Sequence, residues 1–147
     1  MGEIDGRTGL EVLDENECLL LLGRSSLGRL VAVQDGRPLI FPVNFRRDGR
    51  TIVFRTDAGT KLDAVTDDRR VAFEVDELDA HTRTGWSVIV HGLAVEVRDL
   101  DELRTLERLP MQVWTPGAKS RFVRIVPKEI SGRRIVRMAD VRHRRGP

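Results

Sequence analysis

Between residues 28 and 56 the chain alternates runs of β-branched and aromatic residues with Asp-Gly dipeptides, Asp35-Gly36 and Asp48-Gly49. Asp-Gly between such runs is the sequence signature of a tight hairpin, because both residues tolerate the positive φ angles the turn needs. The pattern predicts a three-stranded meander with strands at 28–34, 38–46 and 51–56. A fourth strand is expected in RRVAFEVDEL, a long fifth in GWSVIVHGLAVEVRD, and a sixth with a short seventh in SRFVRIVPKEISGRRIVRM. The fifth is apolar on both faces, with Val88 and Val90 on one and Ile89 and Leu93 on the other. Such a strand needs cover on both sides. One face can fill a barrel interior, and a partner subunit is a natural supplier of the second layer.

Three segments carry helix signals instead. DENECLLLLGRS is expected to start on Asp14 as N-cap, with Glu17 completing a capping box, and to stop at Gly23. A short helix is expected at 60–67, with Thr60 as N-cap and Asp63 in the acidic version of the box. DLDELRTLERL is capped by Asp99 and Glu102 and repeats Leu100, Leu103 and Leu106 at helical spacing. The sum is a mainly β fold: a partly open antiparallel barrel of six or seven strands, with short helices at the crossings. One domain spans residues 1–147, with its core at about 14–136 and a flexible basic tail at 137–147 to which no function is assigned.

Composition narrows the function classes. Aromatic residues make up 5% of the chain and Tyr is absent, which argues against a base-stacking nucleic-acid platform. The net charge of +2 is small. The single Cys18 lies in an apolar run, as a structural thiol would, and cannot form an internal disulfide. His81, His91 and His143 lack metal-ligand spacing, so no metal site is expected. The acidic start lacks the order of a signal peptide and no apolar run reaches membrane-spanning length, so a cytoplasmic protein with no membrane association is expected.

The stretch FRTDAGTK carries the most chemical information. Of the 25 basic residues 22 are Arg and three are Lys, and one of those three, Lys61, falls just inside an expected helix start. A cation there opposes the helix dipole. An anion bound at that end removes the conflict, because the first-turn N–H groups, Lys61 and Arg55 would then all face a negative group.

Together the PVNF strand, the FRTDAGTK junction, the GWSVIVHG strand, the DLDEL helix start and the late RFVRIVPKEISGRRI resemble the flavin-binding split-barrel family around pyridoxamine 5'-phosphate oxidase. The resemblance covers residues 14 to 136 and implies a homodimer with one FMN in each of two interfacial grooves. It implies phosphate ligands at Arg55, Thr56 and Lys61, with the Thr60 N–H region as the helix-start contribution. Pro42, Val43 and Asn44 would run along the flavin ring edge, with Pro42 marking a place where the strand leaves its ladder. Trp86 and Ser87 match positions that approach the cofactor, and Trp114 lies in the segment that reaches the partner's site. The extended basic flavin signature of the true oxidase and its Arg and His substrate grip have no match, so the resemblance does not carry over the making of pyridoxal phosphate. What it implies is a flavin-dependent oxidoreductase acting on a small molecule, with the catalytic residues left open. Two alternatives stand beside it. One is a split-barrel reductase using the deazaflavin F420, whose carboxylate tail would meet Lys119, Arg121 and Arg124. The other is a non-catalytic flavin-binding or interaction module.

Overall fold

A computed structural model describes residues 2–111 and 121–136. The elements in chain order are β1 (Glu3–Ile4), β2 (Glu11–Leu13), α1 (Glu15–Arg24), β3 (Leu27–Gln34), β4 (Arg37–Asp48) and β5 (Thr51–Thr56), followed by α2 (Thr60–Asp67), β6 (Arg70–Asp79), β7 (Thr84–Val97), α3 (Leu100–Glu107) and β8 (Arg121–Ile135). All pairings are antiparallel, and the circuit β8-β5-β4-β3-β6-β7 returns to β8, closing a six-stranded barrel. The short β2 adds to the far half of β8, and β1 adds to β2.

The expected meander is present, with its second turn displaced by one residue. Asp35 and Gly36 both take positive φ between the paired Gln34 and Arg37. In the second hairpin Asp48 pairs with Thr51, so the loop is Gly49-Arg50 with Gly49 at positive φ. This is the arrangement with glycine at the first turn position. Among the described residues the barrel itself has six strands, the short β1 and β2 lie outside it, and the expected separate sixth and seventh strands are one continuous β8. Pro127 lies within this strand. It faces Gly92 at a register shift in the β7–β8 ladder, where a Cβ on Gly92 would stand 2.3 Å from the Val126 carbonyl oxygen. A bulge therefore absorbs the proline without ending the strand.

Barrel closure follows from the alternation of side chains. Val88 and Val90 are fully buried, together with Leu30, Ile52, Phe54 and Phe73. Phe45 meets Phe73 edge to face at 4.9 Å, a favoured aromatic geometry. Leu62, Ala64 and Val65 of α2 join the same core. A second, smaller core forms outside the barrel, where Leu106 of α3 packs on Val53, Val97 and Phe122. On α3, Leu100 points to solvent and only Leu106 is buried. Cys18 is buried against the backbone at Gly132, and burial pushes its thiol up to about 11. A thiol in that state is not a nucleophile at neutral pH. Among the described residues no helix is long and apolar enough to cross a membrane.

The barrel is incomplete along one seam. Residues 37–44 of β4 pair only with β3, whereas residues 45–48 pair only with β5. The edge of β4 from 37 to 44 that faces away from β3 is therefore open among the described residues. Pro42 keeps its register opposite Arg29. The expectation that the strand leaves its ladder there is corrected, because the split lies on the opposite edge.

Candidate cofactor site

The open seam and the start of α2 come together. Phe41 lies on the unpaired stretch of β4, and the Lys61 ammonium stands 5.9 Å from its ring centroid. Arg55, at the end of β5, lays its guanidinium 4.9 Å from the Phe122 ring centroid. Both cations are half-buried and anchored on aromatic faces, which holds their charge near the seam. Phe41 was missed in the sequence. Its only signal was its place one residue before Pro42.

Gly59, not Thr60, is the N-cap of α2, and Thr60 is the first helical residue. Glycine offers no side-chain acceptor, and the structure shows no side-chain cap bond at this end. Thr60 is exposed, and its hydroxyl is not the cap. Thr56 departs further from expectation. It is buried, and its hydroxyl donates to the Asp57 carbonyl at 3.2 Å, so it could serve a phosphate only by giving up that bond. Arg55 and Lys61 are the reachable side chains of the set.

Along β4, Pro42 is exposed and Asn44 half-buried, while the Val43 side chain is 4% exposed and belongs to the barrel core. The role of Val43 toward a ring edge is therefore limited to its backbone. Asn44 donates through Nδ2 to the Ser26 carbonyl at 3.4 Å. Its amide is thus held by neighbouring backbone at the seam's lower end.

Trp86 and Ser87 are not part of this cluster. Arg55 and Thr56 pair with Phe122 and Arg121 at the start of β8, whereas Trp86 and Ser87 pair with Arg134 and Arg133 near its end. The separation is about a dozen residues, on the order of 40 Å of strand at about 3.3 Å per residue. Trp86 packs partly on the barrel core and lines a separate hollow with Glu77, Gly85 and Arg134. Trp114 and Lys119 lie outside the described residues.

The basic cluster expected to meet a carboxylate tail is otherwise engaged. Arg124 donates to Glu102 at 3.0 Å, to Asp48 at 2.9 Å and to Thr51, and Arg121 donates to Glu96 at 2.8 Å. The Arg121 hydrogen bond first, and Arg98 after it, hold Glu96 below the usual carboxylate range. On the outer face of β6 the reverse occurs. Burial, reinforced by its hydrogen bond with Asp76, pushes Glu74 up to about 7 against the opposing pull of Arg29. Among the described residues no group of three His, Cys, Asp or Glu side chains could hold a metal ion.

An open-seamed antiparallel barrel with short helices at its crossings has the architecture of the flavin-binding split-barrel class. The pyridoxamine 5'-phosphate oxidase family model matches residues 14–134, and the chain belongs to that family. An uncharacterised protein of Mycobacterium tuberculosis is 38% identical over 130 residues, covering 84% of each chain. Among solved structures, a FAD binding protein from Mycobacterium smegmatis is 41% identical with a TM-score of 0.72, covering 85% of this chain and 99% of that one. A FAD-binding protein from Mesorhizobium loti is 28% identical with a TM-score of 0.76, covering 86% and 99%.

Proposed function

We propose that the protein is a homodimeric flavoprotein oxidoreductase that seats FMN with its phosphate at the start of α2 and acts on a small molecule. The observation that carries this reading is the pairing of a helix start lacking a side-chain cap with Lys61 and Arg55 at an open sheet edge. A phosphate fits this donor set, since a helix N-terminus and two cations favour a dianion over any neutral group. Arg55, Lys61 and the Thr60 N–H would hold the phosphate, and the unpaired edge at Pro42–Asn44 would run beside the ring. A bound flavin supplies hydride and electron transfer at its ring, while the protein supplies binding, orientation and electrostatics. No step requires a dedicated acid or base from the chain, which is why binding residues alone are assigned.

The homodimer is supported by the distance between the two residue groups. A single flavin cannot reach from Arg55 to Trp86 along one β8, but Trp86 and Ser87 of a second protomer can complete the seam of the first. The half-exposed outer positions Ile89 and Leu93 of β7 are the apolar surface such a contact would cover. The F420 reading is not favoured, because Arg121 and Arg124 are already paired with carboxylates of the chain.

The test is the visible spectrum of the freshly purified protein, followed by mass spectrometry of what denaturation releases. A flavin spectrum with FMN released supports the proposal. FAD would keep the phosphate seat and change the cofactor, matching the two relatives described as binding FAD, and a protein that neither carries nor takes up any flavin would overturn it.

A further inference from the structure

A groove of about 480 Å³ opens beside the seam, between the end of α1, the last part of β4 and the segment after α3. Its walls include Ser26, Phe45, Arg46, Arg47, Pro110 and Met111. The volume falls in the usual range for small-molecule sites. We propose that this groove seats the acidic group of the small molecule acted on at the flavin, and that the substrate is therefore an organic anion with an apolar body. The inference rests on the flavin reading above.

The first support is charge. Several arginines of the described chain are matched by carboxylates, among them Arg29 by Glu74 and Asp76, Arg50 by Glu15, Arg70 by Asp68, Arg98 and Arg121 by Glu96, and Arg124 by Asp48 and Glu102. Arg46 and Arg47 stand out by lining one groove together. Arg46 donates to the Pro110 carbonyl and Arg47 to the Gly49 carbonyl, each at 3.3 Å, and neither meets a carboxylate among the described residues. A backbone carbonyl orients a guanidinium without cancelling its charge, and most of the five N–H donors of each remain available. A planar guanidinium fork suits a carboxylate or phosphate better than any neutral group.

The second support is the space left for Arg47. Gly23, in the last turn of α1, has no Cβ, and one built there would stand 3.1 Å from the Arg47 Nε. The missing side chain lets the guanidinium lie against the end of the helix, where a cation is favoured. Phe45, Pro110 and Met111 line the same groove. The third support is position. Asn44 Nδ2 and the Phe45 N–H both donate to the Ser26 carbonyl, at 3.4 and 3.0 Å. These bonds tie the rim of the groove to the β4 segment proposed to run beside the flavin ring. The Ser26 hydroxyl, exposed at that rim, has no protein partner among the described residues.

The experiment uses the full chain and begins with FMN titration of the wild type by flavin fluorescence. Absence of flavin binding overturns the proposed function, whether or not the groove binds an anion. Benzoate is then titrated by calorimetry into the protein with and without flavin, with benzamide as the uncharged isostere. Benzoate should bind at least tenfold more tightly than benzamide. In the Arg46→Gln/Arg47→Gln double variant, benzoate affinity should fall at least tenfold while FMN affinity stays within twofold. Gly23→Ala should weaken benzoate severalfold by displacing Arg47. Equal binding of benzoate and benzamide, or unchanged benzoate affinity in the double variant, overturns the inference. Loss of FAD affinity in that variant with FMN affinity and benzoate affinity intact would also overturn it, because the groove would then serve the cofactor's second phosphate.

Discussion

The starts of α3 and α2 solve the same physical problem in opposite ways. At α3, Asp99 accepts from the Glu102 N–H at 2.9 Å, Asp101 and Glu102 add negative charge, and Glu102 is itself held by Arg124. α1 repeats the solution with Asp14 accepting from Glu17 at 2.8 Å. These ends are finished within the chain: the orphan N–H groups find an acceptor and the dipole meets acids. At α2 the N-cap is Gly59, no side-chain cap forms, and Lys61 sits in the first turn. An end without a side-chain cap, with Lys61 as well as Asp63 in its first turn, lies beside an open sheet edge.

The sharpest way to break the contrast is Lys61→Glu. If α2 starts like α3, an acid there suits the dipole by about 0.3–1 kcal/mol, and nothing else changes. If it holds a phosphate, FMN affinity falls at least tenfold, about 1.4 kcal/mol, while the apo melting temperature holds or rises. Flavin fluorescence titration with apo melting curves reads both. Lys61→Arg should fall between, since charge remains but the point donor becomes a planar fork.

Asp99→Ala tests the other side. Loss of that cap should cost about 1 kcal/mol of stability in denaturant unfolding, with FMN affinity unchanged, because α3 lies on the outer core and not at the seam. A shift in FMN affinity of tenfold would show that the two helix starts are not separate in role.

The outer face of β6 offers an instructive third case, in which like charges are crowded and the relief comes from inside the chain. Glu74, beside Asp76 and Arg29, is raised from 4.5 to about 7. A carboxyl whose folded-state value is raised gives stability that is fully present below about 4.5 and is lost as pH rises through 7. Melting temperature should therefore decline over that window as far as Glu74 contributes. Glu74→Gln should flatten the decline and raise stability at pH 8 by on the order of 1 kcal/mol. A melting profile of the variant parallel to that of the wild type would remove Glu74 as the cause.

The smallest expected effect comes from giving α2 the cap it lacks. Space is open around Gly59, with nothing within 4 Å of a built Cβ. Gly59→Asp should stabilise the apo protein by a few tenths of a kcal/mol and weaken FMN a fewfold, because the new carboxylate competes for the N–H groups a phosphate would use. Apo melting curves and flavin titration of that variant check both signs.

Much of this architecture was legible because it is written locally. The Asp35-Gly36 turn and the caps at Asp14 and Asp99 each depend on residues within a few positions. What escaped depends on distant partners. The two- and three-residue strands β1 and β2 exist through pairing that leads to the far end of β8, and Pro127 is tolerated only because Gly92 opposes it. The candidate site divides in the same way. Lys61 stood out against an arginine-rich background and a dipole. Arg46 and Arg47 carry no local signal, and the meeting of α1, β4 and Pro110 brings them to one groove. Trp86 and Ser87 could not be separated from Arg55 in the sequence, since their distance follows from the β7–β8 register.

The central claim, that the start of α2 is the seat of a flavin phosphate, is tested most directly by comparing FMN with riboflavin on the same protein. The two share a ring and a ribityl chain and differ in the phosphate. The account predicts that FMN binds the wild type at least tenfold more tightly than riboflavin, and that Lys61→Glu removes most of that difference while leaving riboflavin affinity within twofold. Equal affinities for FMN and riboflavin in the wild type would contradict it.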